Sequence, residues 1–346
     1  MADGARLDDR ELFHLLATRP GLIPIHIDLD RQQLVWCDIG ERQLTEAFFG
    51  TFVARITREP GDRRLFVTSL DSLALDYAFL DVLPPAGFVF HMSRCGSTLL
   101  SRALAQSRQH VVLSEAQPHN AIWWHWTEGW REGLRWTDER LTAFRNLVLL
   151  TGRRRCAEQR ASFVKFSSWN VLLRPFIRQA FPEVPCLFLY RDPAEVLVSC
   201  LRYQPWWLMT KGSAFGAFAT QASTEATAAM TDLAFCEKFL ARLLTCALTA
   251  PSGDLAYLTY RDLTPDSLGA ILEAAFDFRP DHDQITLMRE QFRRYSKDED
   301  YSPPFMLDTE TNREAVTARI RESVERALRP LYDALETSEK KVRPTP

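Results

Sequence analysis

The chain has 346 residues, 46% of them hydrophobic and 25% charged, with a formal net charge of −3. That apolar content excludes a disordered chain, and 14 Gly with 19 Pro exclude collagen-like and low-complexity classes. The negative balance argues against a nucleic-acid binder, which needs a basic face to neutralise phosphates. The length suits two domains, or one large domain with an appendage.

Residues 1–85 read as a separate α+β extension of unknown role. Asp8 followed by Glu11 forms a capping-box pattern that opens a short helix through Leu16. The alternating runs Ile23–Ile27 and Leu34–Trp36 predict a hairpin, an amphipathic helix follows around Glu46–Ile56, and Leu65–Val67 predicts another strand. This extension shows no catalytic cluster, and the reading is structural or lid-forming. Pro84-Pro85 then punctuates the chain.

From Gly87 short apolar runs alternate with helical patterns. Strands are predicted over Gly87–His91, His110–Leu113, Ser162–Lys165, Cys186–Tyr190 and Leu255–Leu258. Helices are predicted over Thr98–Ser107, Trp169–Ala180 and Pro193–Tyr203, with one long helix over 223–250 and a last one over 311–335. Asp192 as N-cap, Pro193 at the first helical position and Glu195 two residues on mark one helix start. Continuous apolar strands interleaved with helices define an α/β class, a three-layer parallel sheet flanked by helices, over residues 86–335. Residues 336–346 form a tail whose polar run Glu339–Pro344 is expected to fray.

Seven cysteines are scattered with no C-x-x-C pair, which fits a reducing compartment and gives no zinc ribbon and no other metal site. No signal peptide is indicated, and no apolar run comes near the roughly 18 residues of a spanning helix. The expectation is a soluble cytoplasmic protein with no membrane partner. Its oligomeric state stays open.

The most informative stretch is Phe88-Val89-Phe90-His91-Met92-Ser93-Arg94-Cys95-Gly96-Ser97-Thr98-Leu99-Leu100. It reads as a strand, a tight polar turn and a helix opening on two hydroxyls, so backbone N–H groups and a helix N-terminus aim at one spot. Such a spot favours phosphate or sulfate. Arg94 adds a forked guanidinium, and Ser97 and Thr98 add hydroxyls. The bland alternative is that Ser97 only caps a helix. The stretch is not a Walker A loop, because Ser97 follows Gly96 where that motif has Lys.

Ser93-Arg94-Cys95-Gly96-Ser97-Thr98-Leu99 resembles the 5′-phosphosulfate loop of sulfotransferases that use 3′-phosphoadenosine 5′-phosphosulfate (PAPS), and Arg94 takes the place usually held by Lys or Arg. Leu187-Phe188-Leu189-Tyr190-Arg191-Asp192-Pro193, with Ser199 eight residues after Arg191, is similar to the 3′-phosphate motif of the same family. A guanidinium and a hydroxyl two helical turns apart make a phosphate clamp. The resemblance implies a P-loop-NTPase-like sulfotransferase fold, PAPS as donor, 3′,5′-adenosine bisphosphate as product, and a small-molecule or saccharide acceptor. It covers residues 86 to about 335.

Three weaker features agree. Phe163–Phe166 resembles a family strand ending in a Lys at the sulfuryl group, here Lys165. Tyr260-Arg261-Asp262-Leu263 resembles a late family signature, with Arg261 replacing an acid. Tyr295–Asp298, including Lys297, sits where bacterial members carry a basic segment; the plainer reading of Lys297 is a solvated charge.

Sulfuryl transfer needs charge stabilisation at the transferred group and a base for the acceptor proton. Arg94 and Lys165 are the expected stabilisers, with no metal required. The His that aryl and alcohol sulfotransferases carry after this Lys is missing, since the chain reads Lys165-Phe166-Ser167. Glu115, just after the strand His110–Leu113, is the expected base. Golgi tyrosyl-protein and bacterial carbohydrate sulfotransferases look similar in carrying Glu there. A structural ion pair is the alternative for Glu115, and His91 and His119 are rival bases. Trp123, Trp126 and Trp130 fall on one predicted helical face, either as core or as an aromatic acceptor pocket, and Trp206 and Trp207 are candidates for a lid. Two other functions stay open: a kinase-like phosphotransferase using Mg-ATP, and a non-catalytic nucleotide-binding module.

Overall fold

Two sheets organise the chain, whose computed structural model describes residues 4–59, 65–251, 253–293 and 309–344. The segment Tyr295–Asp298, and Lys297 with it, lies outside the described residues. The first sheet has four strands, β1 (Ala5–Arg6), β2 (Leu22–Asp28), β3 (Gln33–Asp38) and β4 (Leu65–Ser69), in the order β1-β4-β3-β2. Between β1 and β2 runs α1 (Asp9–Thr18), closed by the expected capping box: Glu11 N–H donates to Asp8 Oδ1 at 2.8 Å and Asp8 N–H to Glu11 Oε2 at 2.9 Å. Strands β2 and β3 form the expected antiparallel hairpin. Helix α2 (Phe49–Arg58) precedes β4 and buries Phe49, Phe52 and Ile56 along one stripe.

The second sheet is all parallel. Its strands are β5 (Pro85–His91), β6 (His110–Ser114), β7 (Ala161–Lys165), β8 (Cys186–Tyr190) and β9 (Ala256–Thr259), in the order β6-β7-β5-β8-β9. Each of β6, β7 and β8 is buried at every position, which is why they read as unbroken apolar runs. Helices flank the sheet: α3 (Ser97–Leu104) after β5, α4 (Gln117–Trp126) and α5 (Asp138–Thr151) after β6, α6 (Arg174–Ala180) after β7, and α7 (Pro193–Tyr203) after β8. Then come α8 (Ala214–Thr220), α9 (Thr224–Ala228) and α10 (Asp232–Leu248) before β9, and α11 (Leu268–Phe276) and α12 (His282–Glu290) after it. The described C-terminal part adds α13 (Thr309–Glu314), α14 (Ala318–Ser323) and α15 (Arg329–Thr337). Chain order turns back at β5, which lies between β7 and β8. Ligands of open α/β sheets sit at such a switch point, beyond the C-terminal strand ends.

The two sheets share one apolar core that runs from Leu12 to Val342. The N-terminal residues are stitched to the second sheet by polar contacts as well. Gln43 Nε2 donates to the carbonyls of Ala105 (2.6 Å) and Ser107 (3.0 Å), Ile27 N–H donates to Gln117 Oε1 (3.0 Å), and Arg153 donates to Leu16 O (2.9 Å). Ser114 Oγ, at the end of β6, donates to Ala47 O at 2.8 Å.

Several expectations are corrected. The helix predicted over 223–250 is two helices, because the Thr231 hydroxyl accepts from Ala234 N–H and starts α10 afresh. The helix predicted over 311–335 is broken at 315–317, where the Thr317 hydroxyl accepts from Ile320 N–H and starts α14 afresh; beyond that it winds through a π-helical turn at Val324–Leu328, just ahead of Pro330, whose missing N–H cannot continue an i→i−4 ladder. Over Trp169–Ala180 a 3₁₀ turn (Ser168–Leu173) comes first and α6 follows. Trp130 does not share a helical face with Trp123 and Trp126: α4 ends at Trp126, and Gly129 and Trp130 both have positive φ. The run Glu339–Pro344, expected to fray, is held at residues 340–342. Lys341 pairs with Tyr257 of β9, Tyr257 N–H donates to Lys340 O (2.9 Å), Val342 N–H donates to Tyr257 O (2.8 Å), and Val342 is buried. Lys340 Nζ also donates to Ala250 O at 2.6 Å.

That pairing makes the tail part of the domain. A chain ending at Ser338 loses a buried valine, worth about 1.5–3 kcal/mol, together with the pairing of β9. Its urea unfolding midpoint is expected to fall measurably below that of the full chain; an unchanged midpoint would mean the tail adds nothing.

Candidate active site

The ends of β5, β6, β7 and β8 converge, because the parallel register sets Ser114 opposite Lys165, Val89 opposite Lys165, and His91 opposite Leu189. Beyond β5 the chain makes a tight left-handed turn. Ser93 (φ 76°), Arg94 (φ 53°) and Gly96 (φ 85°) all have positive φ, a conformation that costs on the order of 1–3 kcal/mol at each non-Gly position and is held only by its surroundings. His91 is part of that hold. Its Nδ1 accepts the Ser93 N–H at 3.1 Å, so in the neutral ring Nε2 carries the proton and donates to Phe166 O at 3.1 Å. Cys95 turns inward and its thiol donates to Leu189 O at 3.2 Å; burial pushes that thiol up to about 11. Gly96 is required twice over, by its φ and because a Cβ there would run into the Tyr260 ring.

Helix α3 starts at Ser97 with no side-chain cap, so its first-turn N–H groups, from Ser97 through Leu99, face the concavity made by the turn. Successive amides of this kind hold anions. At its mouth stands Lys165, 1% exposed, whose ammonium lies 3.5 Å from the Thr98 hydroxyl and pairs with Glu115 Oε1. Glu115 also has positive φ (53°), and its backbone N–H donates to Lys165 O at 2.8 Å. Its second carboxylate oxygen accepts from Ser167 Oγ at 3.2 Å, and Asn120 Nδ2 donates to Ser167 at 3.0 Å. His91 Nε2 lies 3.7 Å from Glu115 Oε1. Burial pushes the Glu115 carboxyl up, but the Lys165 ammonium and His91 outweigh it and hold the group well below the usual carboxylate range. Burial depresses His91 and drives His119 down to about 3. His119 is buried among rings of Phe144 and Phe166, with neither ring nitrogen hydrogen-bonded.

The two sequence motifs meet, though not in the expected pairing. Arg94 reaches over to α7, where its Nε donates to Ser199 Oγ at 2.7 Å and its guanidinium lies 4.5 Å from the centre of the Tyr203 ring. Arg191, at the end of β8, donates instead through Nε to Glu195 Oε2 at 2.7 Å and lies over the Tyr260 ring at 4.7 Å. Glu195 is buried, and its other oxygen accepts from Arg313 Nε at 2.8 Å. Leu99, Arg191, Tyr260, Phe292, Arg313 and Tyr332 line a cavity of about 440 Å³ beside the loop. Its mix of flat apolar walls and guanidiniums suits an aromatic ring that carries a phosphate.

Sequence reasoning did not single out Arg313, Tyr203, Ser167, Asn120 or Phe48. The Phe48 ring, from the N-terminal extension, lies 5.1 Å from the Lys165 ammonium. Glu195 with Arg191 is an i, i+4 pair legible on paper; the other contacts are long-range and leave no local signal. Trp207 is core, stacked on Phe239 at 4.0 Å, whereas Trp206 is half exposed.

No family model matches the chain, and no curated protein matches it by sequence. Among solved structures it is similar to the sulfotransferase domain from the curacin biosynthetic pathway (13% identity, TM-score 0.40, covering 70% of this chain and 97% of that one) and to a sulfotransferase from Alicyclobacillus acidocaldarius (15%, 0.38, 72% and 97%). Retinol dehydratase, solved with androsterone and the inactive cofactor PAP, is a third (14%, 0.32, 74% and 82%). Likenesses at such scores carry no argument about activity. The weight rests on the residues of the site.

The Lys165–Glu115 pair sets a pH signature. Because the folded carboxyl is depressed, its stabilisation is present above the ordinary carboxylate value of about 4.3 and is lost as pH falls below it. In Lys165→Met the largest charge that opposes burial at Glu115 is gone, so its pKa rises, and acidification relieves the variant. Thermal melts should show the variant less stable at pH 7.5, by less than the about 3–5 kcal/mol of a fully enclosed pair, since 21% of the Glu115 side chain is exposed. The gap should narrow towards pH 4.5. A gap constant with pH contradicts the pairing.

Proposed function

We propose that the chain is a PAPS-dependent sulfotransferase acting on a hydroxyl or amine acceptor. The observation that carries this reading is the meeting, at one sheet edge, of a left-handed amide turn, an uncapped helix start and a buried lysine–carboxylate pair. A kinase loop would supply its lysine from the turn itself; here the cation comes from β7 and stands beside a carboxylate.

In this reading the 5′-phosphate lies on the amides of Ser93–Leu99, with the hydroxyls of Ser97 and Thr98 beside it. The 3′-phosphate lies near Arg191 and Ser199, and the adenosine fills the cavity bordered by Tyr260 and Phe292. Glu115 takes the acceptor proton as the acceptor oxygen bonds to sulfur. The sulfur–oxygen bond to the 5′-phosphate breaks in line, and the bisphosphate leaves with the electron pair. Lys165 and Arg94 stabilise the negative charge that builds on the leaving oxygen. The resting carboxylate is a weak base while Lys165 pairs with it. An anion on the loop competes for that ammonium, and each step of the ammonium away from Glu115 raises the proton affinity of the carboxylate. The pair therefore arms the base when the donor is bound.

The experiment that tests the reading is a calorimetric titration. Adenosine 3′,5′-bisphosphate should bind more tightly than ADP, and Arg191→Ala should cost the bisphosphate about 1.5–3 kcal/mol, the range for hydrogen bonds to a charged group. Equal affinity for the two nucleotides would move the chain to the kinase-like reading.

Turnover should survive EDTA, because Lys165 and Arg94 supply the positive charge. Glu115→Gln keeps the shape and removes the basicity, so its rate should fall by about 10²–10⁴ while bisphosphate affinity holds. A variant with full activity excludes Glu115 as the base and leaves His91 as the nearest imidazole.

A further inference from the structure

Eight large apolar side chains among the described residues are exposed, and four of them fall between 203 and 218: Tyr203, Trp206, Met209 (75% exposed) and Phe218. Clustered exposed apolar groups mark binding surfaces, whereas single ones need no explanation. This segment touches the candidate site through Tyr203 and reaches the turn that follows Ser167 through Trp206. Tyr203 lies under the Arg94 guanidinium, and Trp206 lies 6.3 Å, centre to centre, from Trp169, which follows two residues after the Ser167 that holds Glu115.

The cluster is built rather than loose. Phe215, fully buried, stacks on Trp206 at 5.3 Å and 29° between planes, and Trp169 meets Phe215 edge-on at 5.3 Å. Phe218 stacks on Trp130 at 4.4 Å. The inner rings fix the planes of the outer ones, so the exposed faces are held ready for a flat ligand at little entropic cost.

The hydroxyls of the same segment, and Lys211, are engaged internally. The hydroxyls of Thr210, Ser213 and Thr220 donate to the carbonyls of Trp207 (2.6 Å), Thr210 (2.7 Å) and Gly216 (2.7 Å), and Lys211 pairs with Asp232. A sugar ring also stacks on tryptophan, but its hydroxyls need side-chain donors and acceptors around the ring edge, and the hydroxyls here already donate to backbone carbonyls, which leaves the ring faces as the larger part of the surface.

We infer that the acceptor is a phenol or an alcohol carried on a flat apolar ring, seated on Trp206, Met209 and Phe218 with its hydroxyl towards Glu115. The inference rests on the sulfotransferase reading. The step is the one given above: the phenolic O–H proton goes to Glu115, the oxygen bonds to the sulfur of PAPS, and 3′,5′-adenosine bisphosphate leaves.

The test uses the full chain with PAPS and follows bisphosphate release with 2-naphthol or N-acetylglucosamine as acceptor, beside a titration of bisphosphate binding. The expected result is a kcat/KM for 2-naphthol at least tenfold above that for the sugar. Trp206→Ala should lose tenfold or more of the naphthol kcat/KM, mainly through KM, with bisphosphate affinity unchanged. Met209→Asp, at a side chain too exposed to endanger folding, should act in the same direction. Quenching of tryptophan fluorescence by 2-naphthol in the bisphosphate complex gives a readout that needs no turnover, and it should weaken in both variants. If the sugar is the better acceptor, or if both variants keep the naphthol KM, the acceptor class is wrong and the sulfotransferase reading stands. If the wild-type chain fails to bind the bisphosphate, both fall together.

Discussion

A lysine ammonium that is 1% exposed is the constraint on which the site depends. Isolated in an apolar interior, that charge would cost several kcal/mol, so the fold must bring a carboxylate to it. Glu115 answers, and to do so the chain adopts a left-handed conformation just after β6, where the Glu115 N–H donates to Lys165 O. The same carboxylate then orders Ser167, and His91 bridges from beside it to the amide of Ser93. One buried charge thus ties the ends of β5, β6 and β7 to the turn that opens α3. Breaking such a pair costs far more than its net stabilisation, which makes it a device for fixing geometry.

The N-terminal extension belongs to the same account. It carries no catalytic cluster of its own, yet Ala47 accepts a bond from Ser114, and Phe48 places its ring beside the Lys165 ammonium. An aromatic ring against a partly desolvated cation offsets some of the cost of burying it. The extension therefore bears on the candidate site through the electrostatic surroundings of one residue.

The α/β sheet was legible because a parallel strand buried on both faces leaves an unbroken apolar run, as in Phe88–Phe90 and Leu187–Tyr190. The loop was legible because glycine and hydroxyl residues sit where backbone amides must turn outward. The side-chain contacts that stayed hidden have a common cause. The bond from Arg94 to Ser199 joins residues 105 apart, and Arg313 meets Glu195 across 118. No local period encodes such contacts. The tail is hidden for another reason: its pairing with Tyr257 is made by backbone atoms, and Lys340-Lys341 beside them reads as solvent-facing charge. The π-helical turn ahead of Pro330 was there to be read, since proline cannot continue a helix ladder.

Strand β9 has only four residues and lies at the edge of the parallel sheet, where unpaired backbone groups would otherwise face outward. Residues 340–342 cover Tyr257 on that edge. Because the covering segment comes far downstream of β9, a nascent chain that has completed the sheet still carries an open edge until α11 to α15 have been made. During that interval the strand is a template for pairing with a neighbouring chain. The short tail segment closes that edge only once the chain is complete, so the exposure of β9 is confined to the interval of synthesis and matters most when unfinished copies are close together.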